Sequence, residues 1–374
     1  MIDGWVKPDL LFDGQDVVAD VCLRVADGRV AEMSTGRLAA VRLPGLLTPG
    51  FVDLQVNGGG GVLLNTTPTA DGISQIAAAH RRFGTVAILP TVITDHPDVL
   101  AQAAAAAIAA KDREDILGLH IEGPHISVAR RGTHRADCIR PLDDHTLTIV
   151  SDLRKAGIAV MITLAPEAAT PAQIAMLADM GAIVSLGHTD ASAEEVEVAV
   201  AAGARCGTHL FNAMSPMTSR APGAVGAILN AGIAFGMICD GCHVDDRMLR
   251  LALRACAPGS APFLVSDAMA TVGGEAAFTL YGQTIHLSNG RLVNTEGNLA
   301  GAHITQAEGV KRLVDQVGIP LADALRMAIT TPATLIGQPH LARVLDRSTH
   351  DLLLLKPDHT VAGTLASCLA PSGG

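Results

Sequence analysis

The sequence predicts an α/β protein: a (β/α)8 TIM barrel with a small β-sandwich domain built from the N- and C-terminal segments. Between about residue 50 and residue 270, eight short apolar runs recur, each ending in a polar cluster and followed by an Ala-rich amphipathic stretch. Both ends of the chain instead show alternating residues with turn pairs such as Asp27-Gly28. Eight strand–helix units within about 250 residues are typical of a TIM barrel.

The eight apolar runs are the expected barrel strands. In chain order they end near Gln55, Pro90, Glu122, Ala165, Gly187, His209, Cys239 and Ser266. A doubly wound sheet is the structural alternative, and it would normally carry a Gly-rich phosphate loop after its first strand. The run NGGGG at 57–61 lacks the spacing of such a loop. The barrel is therefore preferred.

The domain boundaries follow from the change in pattern along the chain. We expect residues 1–47 and 342–374 to form the small β-sandwich domain, because chain ends often lie close together. Residues 48–341 would form the barrel domain. A β-insertion is expected at about 275–300, after the eighth strand, with Asn289-Gly290 as a hairpin turn.

Composition excludes several classes of function. Lys and Arg number 27 against 37 Asp and Glu, giving a formal charge of −10, and no basic block occurs, which argues against nucleic acid as a partner. No apolar run reaches the ~20 residues of a membrane span, and the N-terminus does not follow the signal-peptide pattern. Seven scattered cysteines favour reduced thiols over a disulfide framework, so a cytoplasmic location is expected.

Four side chains that can bind metal or move protons end separate predicted strands. Glu122 ends the third, His188 the fifth, His209 the sixth and Asp267 the eighth. Each alone has a more ordinary interpretation, as a hydrogen-bonded core histidine or a helix N-cap carboxylate. Reacting groups in TIM barrels project from these strand ends, and one Glu with two His suits a catalytic divalent metal with an open position for water. His120, on the same side of its strand as Glu122, is expected to pack below the site.

Seven motifs carry a resemblance to a known family. They are HIEGPHI (120–126), GTH (132–134), SLGHTDAS (185–192), THLFNAM (208–214), SRAPG (219–223), DGCHVD (240–245) and SDAMATVGG (266–274). In order and spacing they resemble the motifs of the N-acetylglucosamine-6-phosphate deacetylase family, within the amidohydrolase superfamily. The resemblance runs from about Pro49 to Pro332, whereas the two chain ends share only the general β-rich pattern and no specific motif.

The resemblance implies a reaction and a metal site. The reaction is hydrolysis of the acetamide of N-acetyl-D-glucosamine 6-phosphate to D-glucosamine 6-phosphate and acetate. By analogy, one divalent metal ion per subunit would bind Glu122, His188 and His209. Zn²⁺ is the first choice, with Fe²⁺, Co²⁺ or Mn²⁺ as alternatives. Asp267 would act as the base that activates water and then as the acid, and His134 would stabilise the oxyanion.

The resemblance also implies the contacts to a phosphorylated N-acetyl amino sugar. Asn212 and Ala213, after the sixth strand, would meet the sugar phosphate. Arg220 and His243 would reach the phosphate of the neighbouring subunit's substrate, which implies a homodimer.

Two departures from the family pattern leave alternatives open. Many amidohydrolases carry His-x-His at the end of the first strand, where this chain has Gln55-Val56-Asn57. Amide side chains are weak ligands, so we expect a single metal with Gln55 and Asn57 as supporting residues. In LAGAH (299–303), Ala302 and His303 stand where the family usually has Ser after LAG, which leaves discrimination between sugar epimers open.

Two other functions therefore remain in view. One is an amidohydrolase that deacylates another N-acyl amino sugar, such as N-acetylgalactosamine 6-phosphate. The more distant one is a non-catalytic barrel that serves as a binding or scaffold protein.

Overall fold

The computed structural model describes residues 3–39, 41–293 and 299–370. Residues 1–2, 40 and 371–374 of the predicted terminal domain lie outside the described residues. Residues 294–298 of the predicted β-insertion also lie outside them.

Five strands open the described chain and belong to one sheet. They are β1 (Gly4–Phe12), β2 (Val17–Ala19), β3 (Val21–Ala26), β4 (Arg29–Thr35) and β5 (Val41–Pro49). β3 and β4 form the hairpin that the sequence predicts. Its turn residues Asp27 and Gly28 have φ values of 52° and 71°, because a type I′ turn needs two left-handed residues.

Eight parallel strands form the barrel, and a two-stranded hairpin follows the first of them. The barrel strands and this hairpin (β7, β8) are β6 (Phe51–Val56), β7 (Gly58–Gly59), β8 (Val62–Leu63), β9 (Thr85–Ile93), β10 (Gly118–Glu122), β11 (Ala159–Leu164), β12 (Ile183–Leu186), β13 (Cys206–Gly207), β14 (Ala234–Met237) and β15 (Ala261–Leu264). Every residue of β6, β9 and β10 is buried, as expected for parallel strands covered on both faces.

The barrel strands hydrogen-bond in the order β15-β14-β13-β12-β11-β10-β9-β6. Beyond β15, the Asp267 backbone N–H donates to the Gln55 carbonyl at 3.0 Å, and Val56 forms a parallel bridge with Ala268. These contacts join the eighth strand's end to the first strand and nearly close the barrel. The predicted fold class is confirmed.

Helices connect the strands. They are α1 (Ala70–Arg81), α2 (Pro97–Ala109), α3 (Asp144–Lys155), α4 (Pro171–Asp179), α5 (Ala193–Ala201), α6 (Gly223–Asn230), α7 (Asp246–Ala255), α8 (Gln306–Arg312), α9 (Leu321–Leu325), α10 (Thr331–Leu335) and α11 (Leu365–Cys368). Thr170, Ser192 and Thr305 begin α4, α5 and α8 with reciprocal capping boxes, which satisfy two otherwise unpaired backbone N–H groups. Among the described helices, none is long and apolar enough to cross a bilayer.

A three-stranded antiparallel sheet follows the barrel's eighth strand. Its strands are β16 (Ala277–Leu280), β17 (Gln283–Ser288) and β18 (Arg291–Val293), with a turn at Asn289-Gly290. The Tyr281 hydroxyl donates to the Thr94 carbonyl at 2.5 Å. The insertion is therefore anchored at the end of β9, beside the barrel mouth.

The C-terminal strands complete the first sheet. They are β19 (Leu352–Leu355) and β20 (Val361–Thr364), and β19 pairs antiparallel with β5. The order is β20-β19-β5-β1-β3-β4, with β2 on β1. Leu11, Leu23, Leu47 and Leu354 lie in a separate core beneath this sheet. The two chain ends thus share one structural unit, and the exact domain boundaries stay a prediction.

Candidate active site

The residues predicted to react lie at the C-terminal ends of four barrel strands. Glu122 is the last residue of β10, His188 and His209 follow β12 and β13, and Asp267 follows β15. The φ values of His188, His209 and Asp267 are 49°, 31° and 51°. Non-glycine residues in this region cost about 1–3 kcal/mol each and cluster at functional sites. The backbone therefore turns sharply where these side chains leave the strands.

Glu122, His188 and His209 converge on one point. The Glu122 Oε1 atom lies 3.2 Å from His188 Nε2 and 3.0 Å from His209 Nε2, and the two Nε2 atoms are 3.1 Å apart. All three side chains are almost fully buried. The predicted ligand set is therefore brought together in one buried cluster.

This arrangement fits a divalent metal. Zn–N and Zn–O bonds of about 2.0–2.1 Å in a tetrahedron would separate ligand atoms by about 3.3 Å, close to the observed spacing. With both imidazoles neutral and their Nε2 lone pairs facing inward, these nitrogens and the carboxylate oxygen are all acceptors, and a divalent cation between them would bind all three. His134 adds a nitrogen near this group, since the ligand atoms of Glu122, His134 and His188 lie within 4.8 Å of one another.

His188 and His209 differ in the contacts of Nδ1, the ring nitrogen that points away from Glu122. His188 Nδ1 lies 2.9 Å from the Arg130 carbonyl oxygen, so Nδ1 carries the proton and Nε2 keeps its lone pair for a metal. His209 Nδ1 is buried with no hydrogen-bond partner among the described residues. Burial alone would raise the pKa of Glu122, but the nearby His188 and His209 side chains outweigh burial and lower that pKa.

The side-chain amides of Gln55 and Asn57 donate hydrogen bonds to the carboxylates of Glu122 and Asp267. The Gln55 amide donates to Glu122 Oε1 at 3.0 Å and to Asp267 Oδ1 at 3.1 Å. The Asn57 amide donates to the same Asp267 oxygen at 2.7 Å. Burial, and then the nearby charge of Glu122, raise the pKa of Asp267 to about 6. Asp267 is therefore a carboxylate of increased basicity, fixed in position by two amide groups.

His134 lies beside His188 and is oriented by Thr94. The two imidazole rings are 4.3 Å apart, and His134 Nδ1 lies 2.8 Å from Thr94 Oγ1. Burial, followed by the nearby His188 side chain, lowers the pKa of His134 to about 3, so the ring is neutral. If the Thr94 hydroxyl donates to Nδ1, the proton of His134 sits on Nε2. Sequence reasoning missed Thr94, because a β-branched residue next to a strand is expected without any functional role.

His120 packs below the site, in a network of neutral groups. Its Nδ1 lies 3.1 Å from the Leu54 carbonyl oxygen and its Nε2 lies 2.7 Å from Thr163 Oγ1. Thr208 Oγ1 is 2.7 Å from Thr163 Oγ1 and 2.6 Å from Ser185 Oγ. Burial lowers the pKa of His120 to about 4.

A cavity of about 190 Å³ opens above this cluster. Its polar lining is Asn57, Glu122, Thr133, His134, His188, His209, Asn212, His243 and Asp267, and its other lining residues include Ile93, Ala213, Ile238, Met269 and Leu299. Ala213 has a φ of 50°. Asn212 and Ala213 therefore border the space into which a substrate would fit.

The two predicted phosphate contacts lie in different places. His243 lines the cavity of its own chain, and Asp240 holds it through Nδ1 at 2.6 Å. The sequence-based expectation that His243 reaches the phosphate of the neighbouring subunit's substrate stays a prediction. Arg220 lies on an exposed turn and is not among the residues that line this cavity.

His303, the departure from the family pattern noted in the sequence, also lies outside the cavity lining. Its Nδ1 atom is 2.8 Å from Thr271 Oγ1.

Comparison with known proteins gives a consistent result. The sequence pattern of the Amidohydrolase family matches residues 46–346. An N-acetylgalactosamine-6-phosphate deacetylase of Shewanella is 40 % identical over 85 % of this chain and 81 % of that relative. An N-acetylglucosamine-6-phosphate deacetylase of Haemophilus influenzae is 34 % identical over 96 % of each chain.

A solved structure of N-acetylglucosamine-6-phosphate deacetylase from Pasteurella multocida superposes on this fold with a TM-score of 0.89. It is 33 % identical, over 97 % of this chain and 98 % of that one. The family resemblance read from the seven motifs is confirmed, and with it the metal dependence that the family shares. This chain belongs to the amidohydrolase family.

Proposed function

We propose that this chain is a metal-dependent deacetylase that hydrolyses N-acetyl-D-glucosamine 6-phosphate to D-glucosamine 6-phosphate and acetate. The observation that carries the proposal is the convergence of Glu122 Oε1 with the Nε2 atoms of His188 and His209, in the same buried cavity as Asp267. The relatives named for this activity support the substrate. The scaffold alternative leaves the convergence of these potential ligand atoms without a purpose.

One Zn²⁺ ion is the proposed occupant of this cluster. A bound divalent cation polarises the acyl oxygen and lowers the pKa of a water molecule to roughly 7. Gln55 and Asn57 stand where a second ion would need ligands, but their amide N–H groups already donate to carboxylates. The donor set therefore favours a single ion.

Asp267 is the proposed proton carrier. Gln55 and Asn57 both donate to its Oδ1 atom, which leaves Oδ2 to accept a proton from the attacking water. The same carboxyl group then returns the proton to the amide nitrogen, which must leave as an amine. A raised pKa helps both steps, because the group must hold the proton briefly near neutral pH.

His134 is the proposed oxyanion donor. With Nδ1 accepting from Thr94, its Nε2–H is available for the carbonyl oxygen as negative charge develops there. One such donor is worth about 3 kcal/mol in comparable sites. The low pKa of His134 means that this donor is a neutral imidazole.

The phosphate contacts are proposed to come from two subunits. Asn212 and Ala213 would act within their own chain, and Arg220 and His243 would reach the phosphate of the neighbouring subunit's substrate in a homodimer. Such contacts do no chemistry, but they convert remote binding energy into placement of the acetamide.

Co-expression of Arg220→Ala and Asp267→Asn subunits tests the dimer. A mixed dimer would have one complete site, so activity at low substrate should recover to about a quarter of that of the unmodified enzyme. Activity no higher than that of the two separate variants would contradict a contribution across the interface.

A second candidate substrate is N-acetylgalactosamine 6-phosphate. The 40 % identical relative carries that name, and Ala302 and His303 depart from the usual pattern in the loop that pairs with Asp267 and Met269. Measuring kcat/KM for acetate release from both epimers separates the two. A higher kcat/KM for the glucosamine epimer supports the first proposal, and the reverse order would replace it.

A cytoplasmic location is also proposed. All seven cysteines are free thiols, as expected for a reducing compartment. Fractionation of cells that produce the protein would test this location.

A further inference from the structure

A second group of metal-ligating side chains lies beside the active site and has no part in the proposed reaction. One ligand atom each from Asp95, His96 and Cys138 lies within 4.8 Å of the others. Cys138 Sγ is 3.8 Å from His96 Nδ1. Cys138 is only 7 % exposed, whereas Asp95 is half-buried and His96 is exposed. The cluster thus has one buried anchor and an open side.

The geometry points to a second divalent-metal site, in which Asp95, His96 and Cys138 bind a thiophilic cation such as Zn²⁺. Zn–S and Zn–N bonds of about 2.3 and 2.0 Å in a tetrahedron separate sulfur and nitrogen by about 3.5 Å, near the observed spacing. Carboxylate, imidazole and thiolate are three common zinc ligands, and the exposed side leaves the fourth position to water.

The charge of the surroundings suits a dication. Arg135 Nε donates to Asp137 at 2.8 Å, and Arg135 Nη1 lies 3.8 Å from Asp95. With Cys138 as a thiolate, the two carboxylates, the thiolate and the guanidinium sum to about −2. Burial, and then the charge of Asp137, raise the pKa of Cys138, so the metal-free group is a thiol. Binding of the cation therefore releases one proton to solvent as the metal–sulfur bond forms.

The position of the cluster connects it to His134. Asp95 directly follows Thr94, whose hydroxyl contacts His134 Nδ1 at 2.8 Å. Cys138 ends the 3-10 turn Ala136–Cys138, which comes shortly after His134 on the same loop. A cation in this cluster would join the end of β9 to that loop.

Cobalt absorption tests the site on the whole protein. Protein loaded with one equivalent of Zn²⁺ is titrated with Co²⁺ without oxygen, and the thiolate-to-cobalt charge-transfer band is followed. Glu122, His188 and His209 offer no sulfur, so this band does not report on the first site. We expect a band that saturates near one added equivalent. Absence of a band in the unmodified protein would overturn the proposal.

Three variants sharpen the test. Cys138→Ser should abolish the band, and His96→Ala, at an exposed position that does not threaten folding, should weaken cobalt binding about 10- to 100-fold. Cys256→Ser is the matched control, because Cys256 is a half-buried thiol whose described hydrogen bond goes to the Leu253 carbonyl, not to a metal-ligating side chain. A band that persists in Cys138→Ser, or an unchanged affinity in His96→Ala, would contradict the assignment. The readout is independent of acetate release, so its failure leaves the proposed deacetylase activity standing.

Discussion

The barrel interior contains two layers of buried polar residues. The histidines of the two layers differ in the groups that lie next to their ring nitrogens. In the lower layer, His120 contacts the Leu54 carbonyl oxygen and the Thr163 hydroxyl, so both ring nitrogens have neutral partners. In the upper layer, the Nε2 atoms of His188 and His209 face each other and one carboxylate oxygen. Burial alone therefore does not separate a structural histidine from a metal ligand. The two kinds of histidine are instead distinguished by the group that Nε2 faces, which is a hydroxyl in the lower layer and other potential metal ligands in the upper layer.

The largest expected effect comes from removing an upper-layer ligand. His209→Asn should lose both the bound metal and the acetate-releasing activity, because only Glu122 and His188 would remain as protein ligands. Metal analysis and an acetate assay on the same preparation check this. Stoichiometric metal in the purified variant would remove His209 from the ligand set.

Asp267→Asn should separate chemistry from metal binding. The substitution keeps the shape and the amide contacts of the side chain but cannot take up a proton. We expect unchanged metal content and a kcat lowered by about 10²- to 10⁴-fold. Full turnover in this variant would refute the role of Asp267 as base and acid.

Thr94→Val tests whether the hydroxyl group orients His134. Valine matches threonine in shape but offers no donor to His134 Nδ1, so kcat should fall about 10- to 100-fold with the metal retained. Thr94→Ser keeps the hydroxyl and should restore most of kcat. Equal kcat values for the Val and Ser variants would show that the Thr94 hydroxyl is not required.

The smallest catalytic effect is expected in the lower layer. His120→Gln should lower the free energy of unfolding by about 1–3 kcal/mol, because it disturbs a buried hydrogen-bond network. Metal content should not change. Denaturant unfolding and metal analysis check both expectations. Loss of metal without loss of stability would show that His120 contributes to metal binding, as the upper-layer histidines are proposed to do. It would contradict the distinction between the two layers.

The sequence predicts the barrel, and it also marks the side chains that the structure brings together at the strand ends, because both depend on local patterns. Each buried apolar run marks a strand, and the polar residue at its end marks the reacting face, which is how Glu122 and Asp267 could be found. The position of His134 came from motif resemblance rather than from periodicity. The strand order of the terminal sheet could not be read, since β19 pairs with β5 across about 300 residues of chain.

The features that the sequence does not reveal depend on contacts between distant segments. Thr94 gains a role only because the loop after β10 brings His134 to it. Likewise, Cys138 lies 42 residues from His96, so no short ligand motif links the two. The left-handed backbone at His188 and His209 is equally invisible, because most such positions would be expected to carry glycine.

Reconstitution of metal-free protein tests the central claim most directly. Acetate release from N-acetylglucosamine 6-phosphate and tightly bound Zn²⁺ are measured together as the metal is added back. Activity should be absent without metal and should rise in proportion to the first bound equivalent, held by Glu122, His188 and His209. Sustained acetate release from metal-free protein, or none from protein carrying that first ion, would contradict the account.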